Sequence, residues 1–122
     1  MSAAALRGRG LFRFDLGPID RIPPGEGQTF LVDGREIAVF RSREDDVWAT
    51  QARCPHKAGL LADGIVGDGQ VICPLHSYKF DLETGAGVRN ECTSLRTYRT
   101  EITVDRRVLV WVGGRETWGA EA

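Results

Sequence analysis

The only two histidines of the chain each lie within three residues of a cysteine. Cys54-Pro55-His56 and Cys73-Pro74-Leu75-His76 are separated by 16 residues. Two such pairs offer two sulfur and two nitrogen donors, the set that a metal centre of mixed ligation needs. A short Cys-x-His or Cys-x-x-His segment can bring thiolate and imidazole to one side of a turn. Pro55 and Pro74 stiffen those turns, because the proline ring fixes φ near −65°. Gly59, Gly64, Gly67 and Gly69 add the permissive backbone that close packing around a bound group requires. Tetrahedral zinc uses such donors, and so does an iron–sulfur cluster with mixed ligands. Buried structural cysteines with core histidines are the third reading, and spacing by itself leaves all three open.

The segments on either side are written in β-strand language. Thr29 to Val32 and Glu36 to Phe40 are short apolar runs joined through Asp33-Gly34, a strong hairpin signal. Val47-Trp48-Ala49 continues the series. Thr100 to Val112 reads as another hairpin, in which Ile102 and Val104 alternate with polar residues and Asp105-Arg106 turns. Val108, Val110 and Val112 then share one face and Leu109 and Trp111 the other, so this strand is expected to be covered on both sides. Pro18, Pro23 and Pro24 mark the early segment as a connector, and no helical period of useful length occurs. The reading is one domain at about 11–115, with tails at 1–10 and 116–122 and a loop-rich insert at about 52–87.

Composition narrows the function classes. Lys plus Arg number 16 against 17 Asp plus Glu, a formal net charge of −1, and Arg41 and Arg43 are followed at once by Glu44, Asp45 and Asp46. Nucleic-acid binding would ask for a clustered basic face, so no nucleic-acid partner is expected. No stretch approaches the roughly 20 apolar residues of a membrane span, and 1–10 lacks the apolar centre of a secretory signal. Three cysteines, an odd number, argue against a secreted disulfide framework. A soluble, cytoplasmic protein is expected.

The two loops, Cys54-Pro-His56-Lys-Ala-Gly59 and Cys73-Pro-Leu-His76-Ser-Tyr-Lys-Phe80-Asp81, resemble those of Rieske ferredoxins, and the flanking strands resemble that family from about Leu16 to Val112. The resemblance implies an all-β Rieske-like sandwich or barrel with an inserted cluster-binding subdomain. It implies a [2Fe-2S] cluster held by Cys54, His56, Cys73 and His76, the cysteines on the inner iron and the histidines on the outer. High-potential relatives carry an extra cysteine in each loop; Gly59 and Leu75 stand there, so that disulfide cannot form. Those relatives also place hydroxyl donors where Tyr78 and Phe80 stand, and phenylalanine cannot donate. A low potential follows as the expectation.

Neither a further iron site nor a substrate site is legible, since both histidines are already used. The expected role is single-electron delivery to a redox partner protein. Cys-Pro-His-Lys, Ala62-Asp-Gly-Ile-Val66 and Thr97-Tyr98-Arg99 resemble the small subunit of NAD(P)H-dependent nitrite reductase, whose large subunit carries flavin and sirohaem. The ferredoxin of a multicomponent dioxygenase, serving an oxygenase and its reductase, is the alternative. A structural β domain with a zinc-filled or vestigial site is the alternative of another class. Cys92 reads as a small buried residue outside the ligand set. Trp48 and Trp111 read as core or sheet-face residues and Trp118 as part of the tail. Lys57 and Lys79 read as solvated lysines, with an acidic partner as their other role.

Overall fold

A computed structural model describes residues 11–55, 59–74, 78–89 and 94–113. Both tails expected from the sequence fall outside these ranges, as do His56, Lys57, His76, Cys92 and Trp118.

The middle of the molecule is built on the Asp33-Gly34 turn. β2 (Glu26–Val32) and β3 (Arg35–Arg41) pair antiparallel from Glu26↔Arg41 to Val32↔Arg35. The two turn residues have φ of 53° and 81°, the doubly positive pair of a type I′ turn, whose twist matches that of paired strands. β4 (Val47–Gln51) adds to the other edge of β3, and β9 (Thr97–Tyr98) adds to β4, giving the order β2-β3-β4-β9.

β3 is buried without interruption from Ile37 to Arg41, and strand periodicity divides it between two cores. Ile37 and Val39 join Leu16, Ile19, Ile22, Val32, Ala49, Val108, Val110 and Val112 on one side. Ala38 and Phe40 join Cys54, Leu61, Val71, Cys73, Phe80, Leu82 and Leu95 on the other. At about 1.5–3 kcal/mol for each large apolar side chain taken from water, both clusters hold their layers to this central sheet.

The first core is closed by a second sheet, of three strands. β1 (Phe12–Pro18) pairs along most of β11 (Arg107–Val112), with a bulge between Asp15 and Gly17, and β10 (Thr100–Ile102) lies on the other edge of β11. Here the structure corrects three expectations. The segment read as a proline connector begins with a seven-residue strand, and only Ile19–Arg21 forms a single 3-10 turn. Val104 leaves the strand and sits fully exposed in the turn before Arg106. Val108, Val110 and Val112 are buried as expected, but Leu109 and Trp111 are only half-buried. The guanidinium of Arg99 stacks 4.4 Å from the Trp111 ring, covering by cation–π contact what no sheet covers.

The second core is closed by the insert, which carries more regular structure than its loop-rich sequence suggests. β5 (Ile65–Gly67), β6 (Gln70–Ile72), β7 (Lys79–Asp81) and β8 (Gly87–Val88) form a four-stranded antiparallel sheet in that order. β5 and β6 meet at Asp68-Gly69, with φ of 52° and 73°, the same turn chemistry as Asp33-Gly34. A 3-10 turn, Leu61–Asp63, precedes β5 and buries Leu61. Among the described residues no helix is long and apolar enough to cross a membrane.

Arg41 shows why the charged run at 41–46 forms no basic patch. Its side chain is buried, donating from Nη1 to the carbonyls of Ile22 at 2.8 Å and Ile19 at 3.4 Å, and from Nε to Asp45 at 3.0 Å. The arginine thus satisfies the Ile22 carbonyl just after the 3-10 turn and adds a second donor to that of Ile19.

Candidate metal centre

Each cysteine stands at the base of a hairpin, and the two hairpins close alike. In the first, Arg53 pairs with Leu60, and the Cys54 N–H donates to the Gly59 carbonyl at 2.8 Å. In the second, Ile72 pairs with Lys79, and the Cys73 N–H donates to the Tyr78 carbonyl at 2.7 Å. Both therefore span five residues from cysteine to acceptor. The residues between, 55–58 and 74–77, each begin with proline; histidine comes second in one and third in the other. Pro55 and Pro74 are exposed, whereas Cys54 and Cys73 are 2% and 1% exposed.

The two sulfurs share one buried cluster, packed among Phe40, Leu61, Val71 and Phe80, and no disulfide joins them. Two unbridged thiols in a carbon-lined core suit soft metal ligation, which cysteine thiolates favour for zinc and iron–sulfur centres. The described part of the donor set therefore fits a thiolate-bound cofactor. The predicted ligands His56 and His76 lie outside the described residues.

Supporting contacts hold the hairpins against the central sheet. Arg53, next to Cys54, pairs with Glu36 of β3, Nε to Oε1 at 3.1 Å. Gln51 donates from Nε2 to the Arg53 carbonyl and accepts the Arg96 N–H at Oε1, both at 2.8 Å. Leu95 in turn donates its N–H to the Gly85 carbonyl at 2.7 Å. Trp48 of β4 reaches across to the insert, its indole N–H donating to Glu83 at 3.1 Å. Sequence inspection missed the pairs Arg53–Glu36, Gln51–Arg96 and Trp48–Glu83, because they join residues far apart in the chain.

Of the glycines singled out in the sequence, Gly64 has the clearest role. A Cβ there would lie 2.1 Å from the carbonyl oxygen of Ile72, the residue before Cys73. Its φ of −84° is ordinary, so the requirement is space. Gly67 faces nothing within 4 Å and carries no such requirement.

The family model of the Rieske-like [2Fe-2S] domain matches residues 14–111. The chain belongs to this family. The cofactor of this Rieske domain is accordingly a [2Fe-2S] cluster, and its activity is that of a ferredoxin-type electron carrier. The chain is 38% identical over 99 residues to an anthranilate 1,2-dioxygenase ferredoxin subunit from Burkholderia cepacia, a match covering 80% of this chain and 90% of that one. Among solved structures, a Mycobacterium tuberculosis protein assigned as the small subunit of an NADH-dependent nitrite reductase superposes with a TM-score of 0.79 at 25% identity, covering 86% of this chain and 98% of that chain. The ferredoxin of carbazole 1,9a-dioxygenase from Nocardioides aromaticivorans superposes with a TM-score of 0.73 at 31% identity, covering 80% and 95% respectively. The Rieske fold expected from the two loops is thus the fold found.

Proposed function

We propose that Cys54, His56, Cys73 and His76 ligate the cluster and that the chain delivers single electrons as the small subunit of an NAD(P)H-dependent nitrite reductase. The observation carrying the ligand assignment is the pair of buried cysteines on matched hairpins within one apolar cluster. When bound, the cluster supplies a reversible one-electron couple, and neutral imidazoles in place of two thiolates make its reduction easier than that of a four-cysteine cluster.

The residues of the chain then have separate tasks. Cys54 and Cys73 anchor the group beneath the surface, where Phe40, Leu61, Val71 and Phe80 exclude water. The N–H groups of both cysteines are committed to loop closure, which fixes the shape of each hairpin base. Arg53–Glu36 and the Gln51 contacts keep the first hairpin seated against the central sheet.

The nitrite reductase reading is supported by the near-complete superposition on the M. tuberculosis small subunit and by the loop and strand wording at 54–57, 62–66 and 97–99. A second reading, the ferredoxin of a dioxygenase system, is supported by the 38% identity to the B. cepacia ferredoxin subunit. Reconstitution separates them. The reduced carrier is mixed with a flavin–sirohaem large subunit and nitrite in one assay, and with an oxygenase component and its aromatic substrate in another. Nitrite consumption dependent on the carrier supports the first reading, and product formation only in the second assay replaces it. A purified protein with zinc and no acid-labile sulfide would overturn the electron-carrier reading while leaving the four residues as metal ligands.

A further inference from the structure

The register of the cluster-binding sheet lines up four side chains that the loops leave outside. Ile65 stands opposite Ile72, Ile72 opposite Lys79, and Lys79 opposite Val88. Residues directly opposite one another in antiparallel strands project from the same face. The neighbouring row, Val66, Val71, Phe80 and Gly87, takes the other face; Val71 and Phe80 there are buried in the second core. The Ile65 row is therefore the outer face of this sheet. It carries three apolar side chains and one cation. Ile65 is 68% exposed, Lys79 is exposed, and Ile72 and Val88 are half-buried.

This row is continuous with the second cluster hairpin. Ile72 immediately precedes Cys73, and Lys79 immediately follows Tyr78, the residue whose carbonyl closes the loop. A protein that approaches the 73–78 loop closely enough to exchange an electron lies beside this row. Resting on the electron-carrier reading above, we infer that Ile65, Ile72, Lys79 and Val88 form part of the docking surface for the redox partner, the nitrite reductase large subunit, which meets them with an apolar patch bordered by carboxylates. Ile65 is the exposed apolar anchor, and such anchors contribute more to association than the polar contacts at a rim. The sign of Lys79 fixes the charge of the partner's border and speeds encounter with it.

The test is stopped-flow reoxidation of the dithionite-reduced carrier by the oxidised large subunit, with oxygenase component in a parallel arm, for the unmodified protein and three variants. Ile65→Glu places a negative charge in the row, Ile65→Lys a positive one, and Leu31→Glu alters an equally exposed apolar residue of β2, 74% exposed on the central sheet. Visible and EPR spectra of each variant establish that the cluster is intact. Ile65→Glu is expected to lower the second-order rate at least tenfold, Ile65→Lys by a smaller factor because it loses the apolar anchor without repelling the partner's carboxylates, and Leu31→Glu not measurably. Unchanged transfer by Ile65→Glu, or an equal loss with Leu31→Glu, overturns the docking surface while the electron-carrier reading stands. Reoxidation of the unmodified carrier by the oxygenase alone, or by neither protein, overturns the partner and this inference together.

Discussion

Cys54 and Cys73 lie in one buried cluster, each donating its backbone N–H to the carbonyl five residues further on. The two thiols are thus held by two copies of one local device, and their environment is apolar carbon. A bound cofactor contributes folding energy where such a site does not exist in the unfolded chain. Cys54→Ser and Cys73→Ser are each expected to abolish the visible absorption of the cluster and to lower the melting temperature of the protein as purified. Cys92→Ser is expected to keep full iron and acid-labile sulfide content. Loss of the visible spectrum on changing Cys92 would require a different ligand set.

The cluster is expected to have a low midpoint potential, about −150 mV, at the bottom of the range for Rieske centres. Phe80 is fully buried in the cluster that contains both cysteines and offers no hydroxyl to sulfur. Phe80→Tyr places a hydroxyl in that cluster and is expected to raise the midpoint, since donors to sulfur stabilise the more negative, reduced form. Protein-film voltammetry of the unmodified protein decides the main point: a midpoint well above zero contradicts it.

Arg41 holds the 3-10 turn to the central sheet from a buried position. Arg41→Met keeps the aliphatic length but removes the donor to the Ile22 carbonyl, while the Ile19 carbonyl keeps the Ile22 N–H. An unsatisfied buried polar group costs about 1–3 kcal/mol, so a loss of about 2–3 kcal/mol in denaturant unfolding is expected. The cluster spectrum of the folded protein should be unchanged, because the arginine lies outside the second core.

Acid should weaken the ion pairs that brace the first core. Hydrogen bonds from Arg41, then Arg106, hold the Asp45 carboxyl below its ordinary value of 3.8. Hydrogen bonds from Arg107, then from the Gly17 N–H, do the same for Asp15. A depressed folded-state pKa means that the unfolded chain binds protons first as pH falls. The stabilisation is complete above the ordinary value and is lost as pH drops through the lower folded values. Unfolding midpoints measured from pH 6 to pH 2 should fall below about pH 4. The fall should be smaller in Asp15→Asn/Asp45→Asn, and an equally steep fall in that variant would remove these two carboxylates as the cause.

Gly64→Ala tests whether the second hairpin depends on the backbone behind it. The added methyl would overlap the Ile72 carbonyl oxygen, so β6 must shift next to Cys73. A loss of about 1–3 kcal/mol, typical of overpacking, is expected together with reduced iron per chain. Gly67→Ala, which meets open space, should retain its cluster.

Sequence by itself determined the features that depend on near neighbours. Asp33-Gly34 specified its hairpin because both turn residues need positive φ, a requirement legible in two letters. The Cys–His spacings resembled the Rieske loops for a similar reason: a metal site built on short turns needs its donors a few residues apart. The same logic applied at Asp68-Gly69, where the turn signal was present but surrounding glycines and prolines made the insert look like loop. Tertiary structure alone decided the rest. β1 was hidden because its partner, β11, lies about ninety residues away, and pairing at that distance leaves little local trace; Val104 was misplaced because the hairpin turns one residue earlier, at Val104-Asp105, than its alternation suggests. The burial of Arg41, the half-covered Trp111 and the outer row from Ile65 to Val88 arise from which layers meet. That depends on packing of distant strands, a cooperative property that no short stretch of chain encodes.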